Sequence, residues 1–239
     1  MVPENNSASQ VDVCYSQLRD LIVRCEIPPG TRLTERELMA QLCFGRTPVR
    51  EALLRLDQDR LVDTKPRSGY RVRPLTRKSI DDFFIAWRAV APLMAALAFE
   101  RLTPEQRIHL SSLHDIQSMT PIDDIDANTK IASLMFDILA HAANSEPLRY
   151  IYNRFGPEMD RIFRIFFATK AGQTWISGQS RMQEFSRVND PAEAAERVRH
   201  ALKLAHRNLL LQIDEKCING SSHFAIGSAG GITITCEPN

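Results

Sequence analysis

Apolar residues recur at helical spacing along most of this 239-residue chain. Between residues 33 and 72 the pattern predicts two short amphipathic helices joined by a tight turn, and then a basic hairpin of two short strands. From residue 76 onward the pattern predicts helices only. Helix, turn, helix and hairpin in this order are typical of a winged helix-turn-helix, which places one helix in the DNA major groove. The chain is therefore predicted to be mainly α, with an amino-terminal winged helix-turn-helix and a carboxy-terminal all-helical antiparallel bundle.

Local signals predict where the two short helices begin. Thr34 and Glu37 form a capping box at the start of the first helix. Gly45 is expected at the N-cap of the second helix, with Pro48 in its first turn, where the missing N–H costs nothing. Three apolar residues of the second helix are expected to face the core: Val49, Leu53 and Leu56.

Basic residues at the start of the second helix indicate a nucleic-acid contact. Arg46, Thr47 and Arg50 lie opposite the apolar stripe, where the helix dipole adds positive charge that suits a phosphate or a guanine edge. In the hairpin, Arg67 is expected to contact the DNA backbone and Gly69 to allow the turn. The chain has a net charge of only +1, so the prediction depends on where the charges lie. A scaffold whose winged helix binds protein remains an alternative.

Residues 11–75 resemble the GntR family of bacterial transcription regulators. The resemblance is carried by LTEREL (33–38), RTPVREAL (46–53), the pairs at 55–56 and 61–62, and SGYRV (68–72). It implies operator contacts by Arg36, Arg46, Thr47, Arg50, and Gly69 with its neighbours. Cys43 and Arg60 stand where the family usually has glycines, so the geometry of those two turns is in question.

Composition and length predict four segments. Residues 1–10 are expected to be a disordered N-terminus, 11–75 the DNA-binding domain, 76–219 a helical effector-binding and dimerisation domain, and 220–239 a Gly/Ser-rich disordered tail. We find no signal peptide, and we expect no apolar run long enough to span a bilayer and no membrane partner. The five scattered cysteines favour a reducing bacterial cytoplasm without a disulfide framework or a zinc site.

The second half is predicted to contain successive helices with a conspicuous aromatic stretch. The last two are expected to meet at Asp190, with Pro191 at the first helical position. Pro92 is expected to kink the first helix, and Gly156-Pro157 to break the fourth. The predicted helices are 76–101, 103–117, 126–143, one beginning near 146, 176–189 and 191–213.

This half resembles the fatty-acid-regulator-like (FadR-like, FCD) branch of the GntR family, chiefly over 136–148 and around Arg88. Many members of that branch hold a divalent metal with one aspartate and three histidines. The matching positions here carry Ser133, Asp137, Gly178 and, at the third histidine, His200. Too few ligands remain for a tight site, so no cofactor is expected.

The favoured interpretation of Asp137 and His141 is a surface or interface pair, with His200 solvated, and a displaced metal site is the alternative. Asp137 and His141 are one helical turn apart, and His200 or His206 would supply a third ligand. Without metal, Arg88 is expected to meet a carboxylate ligand or an internal acid, because burying it unpaired is costly. The predicted effector-binding residues are thus Arg88, Asp137, His141 and His200, and three further arginines are expected near the pocket: Arg149, Arg161 and Arg164.

The predicted function is a sequence-specific transcriptional regulator, with repression as the expected direction. Its expected partners are double-stranded operator DNA, a second copy of the chain in a homodimer, and a small carboxylate or acyl effector. The sequence lacks HExxH, GxSxG and P-loop motifs, so no enzymatic activity is expected. Two alternatives remain open: a regulator with a degenerate pocket and no small-molecule ligand, and a metal-dependent enzyme built on the helical half.

Overall fold

The computed structural model describes residues 9–66, 69–177, 187–216, 221–226 and 232–237. The chain forms two compact units, Met1–Pro74 and Leu75–Asn239. This division falls within one residue of the boundary expected from the sequence. The expected disordered N-terminus lies outside the described residues up to residue 8, and the first helix begins at Gln10 after the capping residue Ser9.

The first unit is a three-helix domain with a small antiparallel sheet. Leu33 pairs with Tyr70, and Val62 pairs with Val72, so the sheet order is β1-β3-β2. The elements are α1 (Gln10–Val23), β1 (Arg32–Leu33), α2 (Glu35–Leu42), α3 (Arg46–Gln58), β2 (Val62–Lys65) and β3 (Gly69–Val72). The predicted winged helix-turn-helix is confirmed.

The predicted helix starts are also confirmed. The Thr34 hydroxyl accepts a hydrogen bond from the Glu37 N–H over 3.3 Å and fixes the first turn of α2. The predicted capping box is only half formed, because the Glu37 carboxylate accepts from the Thr34 hydroxyl, over 2.7 Å, and not from the Thr34 N–H. Gly45 is the N-cap of α3, in an extended conformation. The three apolar residues predicted for the core are completely buried against α1 and the sheet: Val49, Leu53 and Leu56.

Cys43 and Arg60, which stand where the family usually has glycines, adopt the backbone conformation that glycine favours. Cys43 has φ of 58° and Arg60 has φ of 62°, both in the left-handed region. Side chains other than glycine pay a steric cost there. The turns therefore retain their geometry, with strain at each position.

The second unit is a bundle built around its first helix. Ile80, Phe84, Trp87 and Met94 on this helix are fully buried, and the helix packs against three later helices of the unit. The helices are α4 (Arg77–Arg101), α5 (Pro104–Met119), α6 (Ile125–Ala142), α7 (Glu146–Phe167), α8 (Lys170–Ser177) and α9 (Pro191–Lys216). The helices that contact α4 most are α6, α7 and α9.

Two helix predictions in this unit are wrong in detail. Helix α7 continues through Gly156-Pro157 because its buried face carries on without interruption beyond Pro157, at Met159 and Ile162. A separate helix, α8, begins at Lys170, earlier than the predicted start at 176. The predicted helix 176–189 otherwise falls mainly on residues 178–186, which lie outside the described residues.

The prediction that the tail is disordered is wrong for residues 221–226 and 232–237, which form an antiparallel hairpin. Strands β4 (Ser221–Ile226) and β5 (Ile232–Glu237) pair with Ser221 opposite Glu237 and Ile226 opposite Ile232. The sequence ITIT (232–235) consists entirely of β-branched residues, which favours a strand despite the Gly/Ser-rich residues before it.

Helix α4 also differs from the expectation that no stretch is long and apolar enough to span a bilayer. Among the described residues it alone passes that test by length and composition, because a long stretch that contains Arg88 and one further charged residue is still apolar on average. Half of its apolar stretch is buried inside the protein, as in the core helix of a helical domain.

Candidate functional sites

The exposed face of α3 carries the residues predicted to contact DNA. Arg46, Thr47 and Arg50 are exposed, and Leu54 continues the same face one turn further on. Val49 and its apolar neighbours occupy the opposite face, in the core. The helix therefore presents a surface with two arginines and a hydroxyl at its amino-terminal end.

The arginines of this surface differ in their contacts. Arg46 Nε donates to Glu35 Oε2 over 3.0 Å while its side chain stays largely exposed. Neither Arg36, exposed on α2, nor Arg50 makes a hydrogen bond or salt bridge with any residue of the described part of the chain. Gly45 offers no side-chain cap, so N–H groups of the first turn remain open to an anion.

At the carboxyl end of α3, hydrogen bonds to two aspartates connect the helix to α1. Arg55 Nη1 donates to Asp12 Oδ1 over 2.6 Å, and the Tyr15 hydroxyl donates to Asp59 Oδ2 over 2.5 Å. Burial and the neighbouring Asp59 carboxylate raise the pKa of Tyr15 to about 12, so the phenol stays protonated and remains a donor. These contacts join α3 to α1 and place negative charge away from the arginines.

The hairpin after α3 depends on Gly69. Its φ is +85°, and an added Cβ would lie 2.7 Å from the carbonyl oxygen of Leu33. On the same strand, Arg71 Nε donates to the carbonyl of Gly30 over 2.9 Å and ties the hairpin to the loop before β1. The other predicted wing contact, Arg67, lies outside the described residues.

In the helical unit, the residues of the alternative, displaced metal site are not brought together. Asp137 and His141 form an exposed pair on α6, with His141 Nδ1 3.6 Å from Asp137 Oδ1, and His200 is exposed on α9. Within the described ranges, no group of three His, Cys, Asp or Glu side chains is arranged to hold a metal ion. This exposure agrees with the favoured interpretation, a surface pair at Asp137 and His141 with a solvated His200.

Arg88 meets a histidine that belongs to a chain of polar contacts. Its Nη1 lies 3.5 Å from His206 Nδ1, and His206 Nε2 lies 2.9 Å from Asp81 Oδ1. Because a guanidinium only donates, His206 Nδ1 must accept, which leaves the Nε2 proton for Asp81. Burial, opposed by Asp81 and assisted by Arg88, lowers the pKa of His206 and favours this neutral form. Sequence reasoning missed Asp81, which lies 125 positions from His206.

The three further arginines predicted near the pocket divide into two groups. Arg161 and Arg164 of α7 are buried, and Arg164 forms a salt bridge with Asp126 of α6. Arg149 is exposed. Two of the three therefore point inward as predicted.

The helical unit also encloses an apolar cavity of about 50 Å³ between α5, α6, α7, α8 and α9. Aromatic rings from α7 and α8 form much of its wall, and Gln117 of α5 is its polar lining residue. None of the predicted effector-binding residues Arg88, Asp137, His141 and His200 lines it.

Comparisons with known proteins agree with this geometry. Residues 10–72 match the family model for bacterial regulatory proteins of the gntR family. The HTH-type transcriptional regulator McbR of Escherichia coli is 27% identical over 142 residues, which cover 57% of this chain and 64% of McbR. The HTH-type transcriptional repressor RspR of the same organism is 32% identical over 101 residues, covering 42% of this chain and 44% of RspR. The chain thus spans less than two thirds of the length of either relative.

Solved structures share the fold of both units. E. coli McbR/YncC aligns with a TM-score of 0.72 and 20% identity, covering 86% of this chain and 99% of that one. A putative GntR regulator from Rhodococcus sp. RHA1 aligns with a TM-score of 0.67 and 22% identity, covering 85% and 98%. The helical unit therefore shares the fold of the corresponding part of McbR/YncC.

The relatives named above are transcriptional regulators, the class that the sequence predicts for this chain. The family match falls on α1 through β3, the elements that present the exposed arginines. The winged helix-turn-helix unit of this chain thus matches the gntR family of bacterial regulatory proteins over residues 10–72.

Proposed function

We propose that the chain is a sequence-specific regulator of transcription that binds operator DNA through the amino-terminal part of α3. The observation that carries the proposal is the exposed Arg50, which has no salt bridge or hydrogen bond within the described part of the chain. A guanidinium in this position on a recognition helix suits the two acceptors of a guanine edge. The proposed setting is the bacterial cytoplasm.

We further propose that the chain binds as a homodimer to a palindromic operator, with the two recognition helices about one DNA turn apart. Repression is the proposed direction, and the similarity to RspR, which is named a repressor, supports it. An effector that favours one arrangement of the dimer would change operator affinity, and DNA would change effector affinity by the same factor.

The proposed effector is a small acyl or carboxylate compound bound by the helical unit. Arg88 supports a carboxylate, because it is half-buried and its Nε has no hydrogen-bond partner among the described residues. The aromatic cavity supports the apolar, acyl end of this range. The proposal includes no resident metal, and metal analysis of the purified protein, with thermal melts before and after chelation, tests that part.

Selection of binding sites from a random double-stranded DNA library, followed by footprinting, tests the DNA-binding proposal. Arg50→Ala is expected to abolish the specific footprint without lowering the melting temperature, because Arg50 is exposed and makes no hydrogen bond or salt bridge with the described residues. Arg24→Ala is the matched control: it removes the same charge from an exposed residue at the end of α1 and is expected to keep the footprint. An Arg50→Ala variant that protects the same site at unchanged affinity would overturn the assignment.

A further inference from the structure

The cavity of the helical unit is almost entirely apolar. Its walls come from five helices, and every lining residue except Gln117 is aliphatic, aromatic or methionine. Trp175 of α8 packs against Phe166 and Phe167, with ring centroids 5.9 Å apart in each pair. No charged side chain of the described residues lines the cavity, so a bound carboxylate or ammonium would lose its hydration without a partner. A ligand that fits this wall is neutral.

Gln117 supplies the one specific polar contact. Its side chain is 9% exposed, and its Oε1 is buried without a hydrogen-bond partner in the described part of the chain. A buried acceptor without a partner is costly, and native structures usually satisfy such groups. A ligand with one hydroxyl or N–H group in the cavity would satisfy it.

We propose that this cavity is a binding site for a small, neutral, mainly apolar molecule that donates one hydrogen bond to Gln117 Oε1. The site is distinct from the residues that the sequence pattern selected, since Arg88, Asp137, His141 and His200 do not line it. The proposal rests on the proposed function only where it identifies this molecule with the effector. At this cavity it limits the effector to neutral compounds that donate a hydrogen bond, whereas the proposed carboxylate contact is at Arg88, outside the cavity.

The size of the cavity limits the ligand to a compact one. Its volume of about 50 Å³ exceeds the roughly 10–15 Å³ that a cavity needs to hold one water molecule and is smaller than the roughly 150 Å³ of an engineered cavity that binds benzene. Met135 lines the cavity and is only half-buried, and rotation of its flexible thioether side chain would enlarge the space for a single ring.

Phenol and toluene form a matched pair of probes for the full-length protein without DNA. They have nearly the same shape, and only phenol carries a donor. Isothermal titration and ligand-dependent thermal melts give the two affinities. We expect phenol to bind, with a preference over toluene that falls by about tenfold or more in Gln117→Leu, because that variant removes the acceptor and keeps an apolar side chain of similar size.

Ala132→Leu is the second variant, because the added atoms fill the cavity from α6. It is expected to weaken both probes, with helical content unchanged by circular dichroism. Three results would overturn the proposal: neither probe binds up to its solubility, Gln117→Leu leaves the preference unchanged, or Ala132→Leu binds both probes as the parent does. Because these titrations contain no DNA, their failure leaves the DNA-binding proposal intact, and a failed footprint leaves the cavity result intact.

Discussion

The Tyr15 hydroxyl donates a hydrogen bond to the carboxylate of Asp59 over 2.5 Å, and so joins α1 to the residue that ends α3. Beside it, the guanidinium of Arg55 lies 6.0 Å from the centre of the Tyr15 ring and is bound to Asp12. The recognition helix is thus held by its carboxyl end. Its amino-terminal end carries the exposed residues Arg46 and Arg50.

We expect Tyr15→Phe to lower the free energy of unfolding of the first unit by about 1–2 kcal/mol. The substitution removes a hydrogen bond to a charged acceptor and keeps the aromatic ring. Urea denaturation followed by circular dichroism measures the change. Tyr150→Phe is the control, because Tyr150 is 66% exposed, and it is expected to leave stability unchanged. Equal stability of Tyr15→Phe and the parent protein would show that this hydrogen bond contributes nothing.

Gly69→Ala is expected to destabilise the first unit by about 2 kcal/mol and to weaken operator binding. The backbone at Gly69 is left-handed, and the new Cβ would come within 2.7 Å of the Leu33 carbonyl oxygen, which β1 holds in place. Thermal melts and DNA titration measure both effects. Gly156→Ala is the matched control in α7: its Cβ would meet the Tyr152 ring at an ordinary 3.9 Å, so a gain of about 0.5–1 kcal/mol is expected. Similar effects of the two substitutions would contradict the role given to Gly69.

Cys43→Gly is expected to stabilise the first unit by about 1 kcal/mol. Cys43 is exposed, so little packing is lost, and glycine removes the steric cost of a φ of 58°. Chemical denaturation under reducing conditions measures the gain. Cys43→Ala keeps the Cβ and is expected to show no such gain. A destabilised Cys43→Gly variant would mean that the turn is not strained by the Cβ.

The winged helix-turn-helix could be predicted from the sequence because its signals are local. The cap at Thr34, the N-cap at Gly45 and the apolar stripe of α3 each act within a few residues. Strand β1 gave no such signal. It contains only Arg32 and Leu33, and its pairing with β3 depends on residues nearly forty positions away.

The candidate effector residues show the limit of spacing arguments in the helical unit. The spacing of Asp137 and His141 correctly placed both on one side of α6, but which side of a helix faces the bundle depends on all its neighbours. Gln117 gave no signal, since a lone glutamine on an amphipathic helix is ordinary. Gln117 becomes a candidate ligand-binding residue only in the folded unit, where residues of five helices surround the cavity.

His206 joins α9 to α4 in a setting that makes stability depend on pH. It stacks on Phe84 with ring centroids 4.7 Å apart, accepts from Arg88 and faces Asp81. Burial is the largest influence on its pKa and lowers it, the positive charges of Arg88 and Arg77 act in the same direction, and Asp81 opposes them. The native protein therefore takes up a proton on His206 less readily than the unfolded chain.

We expect the free energy of unfolding of the helical unit to fall as the pH drops below about 6.5, the ordinary pKa of histidine. Below that pH the unfolded chain binds a proton that native His206 still resists, so stability decreases with acidity and is fully regained above it. Urea denaturation at a series of pH values measures the slope. His206→Gln is expected to flatten it, because glutamine keeps a donor for Asp81 and does not titrate. His200→Gln, an exposed control on the same helix, is expected to keep the slope of the parent. Parallel curves for His206→Gln and the parent would rule out His206 as the source of the pH dependence.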